Sequence, residues 1–221
     1  VVERLVAYGD LEGRRVLDVG CGTGVLAAAL AERFAAKVWG VDATEEMLEV
    51  ARSRVPSTVG LRRAEAEALP FRDGWFERVV ARLVLHLVDR PRALGEAARV
   101  LATGGRFVTA TFEPEHFDRY WLNRFFPSLL ELDRARFPKP DELRLELAAA
   151  GLEPLQPERL LQHGSLSRED ALERVRGRFI STLRLLPEGE FAEGLARAEA
   201  ELPDRVEYEL RWLLVAADQR S

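Results

Sequence analysis

At 221 residues, 47% of them hydrophobic, the chain can bury one well-covered core and is short for two, so a single domain over residues 1–221 is expected. A net charge of −5 gives polyanions no general attraction, which argues against wholesale nucleic-acid or anionic-membrane binding and leaves small solutes as the expected partners. Cys21 is the sole cysteine, which excludes an internal disulfide and suits a reducing cytoplasm; the apolar run from Val25 to Ala31 is far below the roughly 20 residues of a membrane helix.

All but two of the 32 basic residues are arginine, and Asn, Ile and Met occur once each, a bias that fits a GC-rich genome and heat tolerance. No secretory leader is legible, and Val1-Val2 in place of Met points to a trimmed or alternative start.

The first half alternates strand-like and helix-like segments. Strands are expected at Arg15 to Val19, Lys37 to Val41, Val59 to Arg63, Phe76 to Arg82 and Gly105 to Thr111, with apolar helical stretches between most of them. That alternation argues for an α/β fold with a parallel sheet covered on both faces. Thr44 is expected to cap the helix after Asp42, with Leu48, Ala51 and Val55 as its apolar stripe, and Gly104-Gly105 to end the helix that begins near Arg92.

Residues 113–139 are rich in aromatics and close on Pro138 and Pro140, before a helix from Asp141 to Ala150 that Gly151 stops. Glu153 to Leu161 reads as strand. Ser167 opens a capping box for one amphipathic helix on Leu172, Val175, Phe179, Leu183 and Leu186, stopped by Pro187. A second follows on Phe191, Leu195, Ala198 and Leu202, and Val206 to Ala217 reads as a long last strand.

The chemistry is concentrated in "VLDVGCGTG", Val16 to Gly24. A strand running into closely spaced glycines and then a helix lets main-chain N–H groups approach a polar ligand, and a nucleotide-like cofactor is the expected tenant. Asp42 ends the next strand, 20 residues after Gly22, near the spacing at which a carboxylate meets a ribose. A dinucleotide fingerprint would place Gly or Ala where this chain has Val25, so the nicotinamide reading weakens.

"VLDVGCGTG", "VWGVDATEEMLEVAR", "AEAEALPFRDGWFERVV" and "ARVLATGGRFV", in that order and spacing, resemble the class I S-adenosylmethionine-dependent methyltransferases, particularly their small-molecule branch. The resemblance covers Val16 to Phe112 and is architectural beyond. It implies a Rossmann-like, doubly wound, mostly parallel seven-stranded sheet with an antiparallel last strand, a cofactor half at about 1–112, and helical substrate-cap segments at about 113–139 and 163–204 over the acceptor pocket. It also implies S-adenosylmethionine as cofactor, S-adenosylhomocysteine as product and a small-molecule acceptor.

Carried over by position, the resemblance sets Asp18 and the loop Gly20, Cys21, Gly22, Thr23 and Gly24 toward the methionine part of the cofactor, Asp42 on the ribose, and Ala43 and Met47 along the adenine. Glu65 stands where the family has Asp or Asn near the adenine amine, with Ala66 beside it and Glu67 as a competitor. Arg82 falls at the cofactor-facing end of the fourth strand, although a guanidinium beside a sulfonium is repelled and is expected to turn away.

His86 follows Arg82 by four residues and shares its face if a helical turn begins there; it is either a packed structural histidine or the base that takes the acceptor's proton. Arg82 with His86 suggests an acidic or phenol-like acceptor, and Tyr120 and Trp121 are candidate acceptor contacts. The other cap aromatics pack the cap or stack on a planar substrate. Arg174, Arg176 and Arg178 are either a solvated helix face or an anion clamp. Cys21 is read as packing within the loop, not as a nucleophile. With His86, His116 and His163 as the only histidines, no zinc spacing exists and no metal is expected.

Two other functions stay open: a cofactor-binding sensor or partner without turnover, and methylation of RNA or protein. Against the second, "ARLVLHLVD" lacks the Asn/Asp-Pro-Pro-aromatic motif common to enzymes that methylate nucleobase amines, and no basic module is appended. The sequence is compatible with a monomer or a homodimer.

Overall fold

Apolar runs bounded by charge or glycine become the central strands. The structure, a computed structural model, describes residues 1–220. Helix α1 (Val2–Gly9) ends in a left-handed cap at Asp10, and β1 (Arg15–Val19) follows with every residue after Arg15 buried. Then come α2 (Val25–Arg33), β2 (Lys37–Asp42), α3 (Glu45–Arg54), β3 (Gly60–Arg63), β4 (Phe76–Arg82), α4 (Arg90–Val100) and β5 (Leu101–Phe112).

Two 3-10 turns, Pro114–Arg119 and Trp121–Arg124, precede α5 (Leu129–Arg136), α6 (Pro140–Ala149), β6 (Leu152–Pro154) and β7 (Glu158–Ser167). The chain continues through α7 (Arg168–Arg176), a 3-10 turn at Ser181–Arg184, α8 (Glu188–Glu201) and β8 (Arg205–Gln219).

Seven strands lie in the order β3-β2-β1-β4-β5-β8-β6, and an eighth, β7, pairs with β8. β1 runs parallel to β2 and β4, β3 parallel to β2, and β5 parallel to β4, whereas β8 runs antiparallel to β6. Register matters for function. Val19 pairs with Val41 on one side and Ala81 on the other, so Gly20, the first residue after β1, emerges between Asp42 and Arg82, the last residues of β2 and β4. The order reverses at β1, the place where open parallel sheets hold ligands beyond their strand ends.

The chain divides into two compact units. The first comprises Val1–Thr111, Pro138–Leu160 and the stretch from Leu213 onward; its core gathers Leu17, Val41, Phe76, Val79, Leu94 and Phe107 from sheet and helices. Arg106 ties β5 to the end of β8 through both oxygens of Asp218, at 2.6 and 3.0 Å. The second unit comprises Phe112–Phe137 and Leu161–Trp212, around Leu122, Phe125, Phe126, Leu129, Val175 and Leu183.

Four local expectations are corrected. Thr44 is the first flanking residue of α3, but its side chain makes no capping bond; Asp42 Oδ1 accepts the Thr44 N–H instead, at 2.9 Å. Helix α4 ends at Val100 and β5 begins at once, so Gly104 (φ 71°) lies in an irregularity inside β5, where pairing with β4 jumps from Phe76–Leu101 to Arg78–Arg106. The strand expected over Glu153 to Leu161 is two strands, parted around Pro157, which has no N–H to donate.

The long helix expected after Ser167 is broken. Ser167 caps α7 as anticipated, its Oγ accepting the Asp170 N–H at 3.0 Å, but α7 stops at Gly177 and Arg178 turns left-handed (φ 48°). Leu183 and Leu186 are still buried, reached through a separate 3-10 turn, whereas Phe179 is exposed.

Candidate functional site

The loop after β1 is built from alternating left-handed residues: Gly20, Gly22 and Gly24 have φ of 68°, 52° and 76°. At Gly20 a Cβ would also lie 2.5 Å from Val84 Cγ2, so this glycine is required by packing as well as by backbone. Gly22 is different. Nothing stands within 4 Å of where its Cβ would be, so the main chain there is bare. The loop is held by Cys21 N–H to Val41 O at 2.9 Å and Gly24 N–H to Cys21 O at 3.0 Å.

Asp42 anchors the loop from the end of β2. Its Oδ2 accepts the Gly22 N–H at 2.8 Å and its Oδ1 accepts the Thr44 N–H at 2.9 Å. Each carboxylate oxygen keeps a further lone pair, the capacity that two ribose hydroxyls would use. Asp42 is therefore both a local helix-entrance acceptor and the partner of the glycine loop. Ala43 and Met47, half-buried, follow it, and the Ala43 carbonyl accepts Arg63 Nε at 3.1 Å.

Asp18 is 1% exposed, and its Oδ2 has no hydrogen-bond partner. Burial pushes its carboxyl up to about 7, opposed by the charge of Arg82 and reinforced by that of Asp42. Arg82 is correspondingly lowered by burial and raised by Asp18, so its guanidinium is coupled to that acid. Cys21 fits the notch opposite Gly40, where a Cβ would meet its Sγ at 2.9 Å; burial and the charges of Asp18 and Asp42 push its thiol far above the usual range, as expected of packing rather than nucleophilic chemistry.

A bare glycine backbone, a buried carboxylate with an open acceptor oxygen, and a second carboxylate with lone pairs to spare fit an adenosyl group that carries a cationic end. Asp18, the Gly20 to Gly24 loop and Asp42 are the residues that would hold it.

The other expected residues are placed less directly. Glu65 is exposed after β3 and Ala66 is buried, while the competitor Glu67 is engaged, its Oε1 accepting the Asp89 N–H at 2.7 Å. The helical turn that would set His86 on the face of Arg82 does not form: Leu83 is left-handed (φ 53°), the chain turns with Leu87 N–H on Val84 O at 2.8 Å, and α4 starts at Arg90 behind Asp89. His86 is half-buried in that turn.

In the second unit Tyr120 and Trp121 are half-buried, with ring centroids 6.4 Å apart, and line a cavity of about 280 Å³ with His163 and Tyr208. Burial and the charge of Asp133 push the Tyr120 phenol above its ordinary range. Phe117, Phe125, Phe126 and Phe137 are buried packing residues. The three arginines do not form an anion clamp: Arg176 pairs with Glu199 at 2.5 Å, Arg178 pairs with Glu188 at 2.6 Å and lies 3.9 Å over the Phe191 ring, and Arg174 lies over the Phe179 ring.

One residue that touches the loop carries no signal in the sequence. Arg54, in the last turn of α3, donates to both the carbonyl (2.7 Å) and the hydroxyl (2.6 Å) of Thr23. A basic residue at a helix end is ordinary, and nothing in its spacing marks this contact. Among the described residues no cluster of three or more His, Cys, Asp or Glu could hold a metal, and no helix is long and apolar enough to cross a membrane.

Known proteins share this chain's sequence pattern and fold. Residues 17–109 match the family model described as a methyltransferase domain. The chain is 36% identical over 166 residues to a demethylmenaquinone methyltransferase of Thermus thermophilus, covering 62% of this chain and 74% of that protein. It is 43% identical over 104 residues to the methyltransferase GfsG of Streptomyces halstedii, spanning 44% of this chain but only 37% of that longer relative. In fold it is similar to the solved YcgJ protein of Bacillus subtilis, with a TM-score of 0.68 and 24% identity over 100% of this chain and 98% of the other.

Proposed function

Because the chain belongs to the class I S-adenosylmethionine-dependent methyltransferase family, we propose that it transfers the methyl group to a small-molecule acceptor bearing an acidic or phenol-like hydroxyl. The observation that carries the cofactor part of this reading is the joining of Gly22 to Asp42 at 2.8 Å, where nothing lies within 4 Å of the position of a Gly22 Cβ.

When bound, S-adenosylmethionine supplies an electrophilic methyl with its own leaving group. The work left to this chain is binding, alignment and exclusion of water. Asp42 would hold the ribose, the bare backbone at Gly22 would line the methionine end, and the Asp18 carboxylate would offset its positive charge. Ala43, Met47, Glu65 and Ala66 would hold the base.

Arg82 ends β4, the strand next to β1, His86 follows it, and both serve the acceptor: the guanidinium favours an anionic oxygen, and a neutral imidazole takes the proton that a hydroxyl releases. Tyr120 and Trp121 supply acceptor selectivity in this reading, as rings able to stack on a planar group. The Thermus relative's name specifies a demethylmenaquinone, which supports a planar acceptor. A cytoplasmic setting fits the single buried thiol.

Incubation with S-adenosylmethionine carrying a deuterated methyl, in metabolite extracts, tests the reading. A metabolite should gain the labelled methyl with wild type, and the yield should fall in His86→Ala and Arg82→Ala. If S-adenosylhomocysteine never accumulates across broad phenol and carboxylate panels although the cofactor binds, the chain is a sensor and the transfer reading fails.

A further inference from the structure

Thr23 lies between the two glycines that frame the exit of the loop, and the structure ties it to a residue 31 positions away. Arg54 Nη1 donates to Thr23 O at 2.7 Å and to Thr23 Oγ at 2.6 Å, one charged donor shared by the main chain and side chain of the same residue. The same end of α3 packs the next residue of the loop: a Cβ on Gly24 would lie 2.8 Å from Val55 Cγ1 and 3.1 Å from Ala51 Cβ. Gly22, on the other side of Thr23, is pinned by Asp42. The loop is thus held from β2 at Gly22 and from the last turn of α3 at Thr23 and Gly24.

From this arrangement we infer that Arg54 is a positioning residue for the cofactor, a proposal that rests on the reading of the glycine loop as the S-adenosylmethionine site. Arg54 fixes the Thr23–Gly24 peptide through its carbonyl, and with it the turn closed by the Gly24 N–H on Cys21 O, so the loop is set before a ligand arrives and less ordering is lost on binding. A hydroxyl that accepts from a guanidinium keeps its own proton to donate, so Arg54 also makes Thr23 a donor toward the ligand. Arg54 itself is solvent-exposed and belongs to neither hydrophobic core, which separates its effect on the loop from an effect on folding.

The test is calorimetric titration of the whole chain with S-adenosylhomocysteine, together with thermal melting of the free protein, for wild type, Arg54→Ala, Arg54→Lys, Thr23→Val and the Arg54→Ala/Thr23→Val pair. Arg54→Ala should bind about tenfold more weakly, the size expected from losing one charge-assisted contact, while melting near the wild-type temperature. Arg54→Lys should recover part of that affinity. In the Thr23→Val background the further loss from Arg54→Ala should shrink, since only the carbonyl contact remains to be removed.

Wild-type affinity in Arg54→Ala, or an undiminished loss from Arg54→Ala in the Thr23→Val background, overturns the inference. So does an affinity loss matched by a collapse in melting temperature that Arg54→Lys does not relieve. If wild type itself binds no S-adenosylhomocysteine, the reading of the loop fails first, and the two failures are told apart by that control.

Discussion

Gly22 and Asp42 are joined by a 2.8 Å hydrogen bond, main-chain N–H to carboxylate, so the acid that closes β2 holds open the loop that closes β1. The two strands lie in register, with Val19 opposite Val41, and the bond lies just beyond the last paired residues, next to that of Cys21 N–H with Val41 O. Binding chemistry and fold share these atoms, and several outcomes follow from how they are shared.

Gly20 and Gly22 should respond differently to alanine. Both are left-handed, a conformation costing an L side chain about 1 kcal/mol or somewhat more. Only Gly20 also meets Val84, an overpacking that adds about 1–3 kcal/mol. Gly20→Ala should therefore lower the melting temperature by several degrees. Gly22→Ala should melt closer to wild type yet lose affinity for S-adenosylhomocysteine, because its methyl fills the bare side of the loop. Melting curves and titrations of the two variants check this.

Asp18 should make the site pH-dependent. Its carboxyl titrates at about 7 in the folded chain, raised by burial against the charge of Arg82, and at the ordinary carboxylate value when unfolded. A raised acid favours folding in its protonated form, so its contribution is greatest below about pH 4 and is lost as pH climbs through 7. Ligand binding runs the opposite way. The ionised carboxylate attracts the cationic end of S-adenosylmethionine, so affinity should rise as pH passes from about 6 to 8. Asp18→Asn should flatten that rise and weaken the stability loss, read from titrations and melts across the same pH range.

Gly194 tests the second unit. It lies in α8, where a Cβ would run into the Phe126 ring and approach Phe125 O to 2.8 Å, and Phe126 stacks on Phe191 with centroids 5.9 Å apart. Gly194→Ala, ordinarily favourable in a helix by about 1 kcal/mol, should instead destabilise by about 1–3 kcal/mol. A rise in melting temperature would contradict this packing.

Much of this architecture was legible in the residues. β1 and β4 fall on the bounds their sequences suggest, because Val16–Val19 and Arg78–Ala81 are apolar-rich runs ended by a glycine or a charge. The glycine loop and Asp42 were legible for the same reason: a left-handed backbone and a strand-end carboxylate leave a mark within a few residues.

What escaped depends on partners distant in sequence. Gly104-Gly105 looks like a helix stop, yet pairing with β4 extends β5 back to Leu101 and absorbs both glycines in an irregularity. The periodicity from Leu172 to Leu186 is real in burial but passes through the break at Gly177. His86 is spaced for a helical turn that the left-handed Leu83 prevents. The contact of Arg54 with Thr23 depends on α3 docking against the loop, which no local pattern encodes.

The central claim is that the glycine loop around Gly22 and the Asp42 carboxylate together hold an adenosyl ligand. Calorimetric titration of wild type and Asp42→Ala with S-adenosylhomocysteine tests it most directly. The account predicts single-site binding to wild type and an affinity at least about tenfold lower in a folded Asp42→Ala. No heat of binding in folded wild type, or equal affinity in the two proteins, would contradict it.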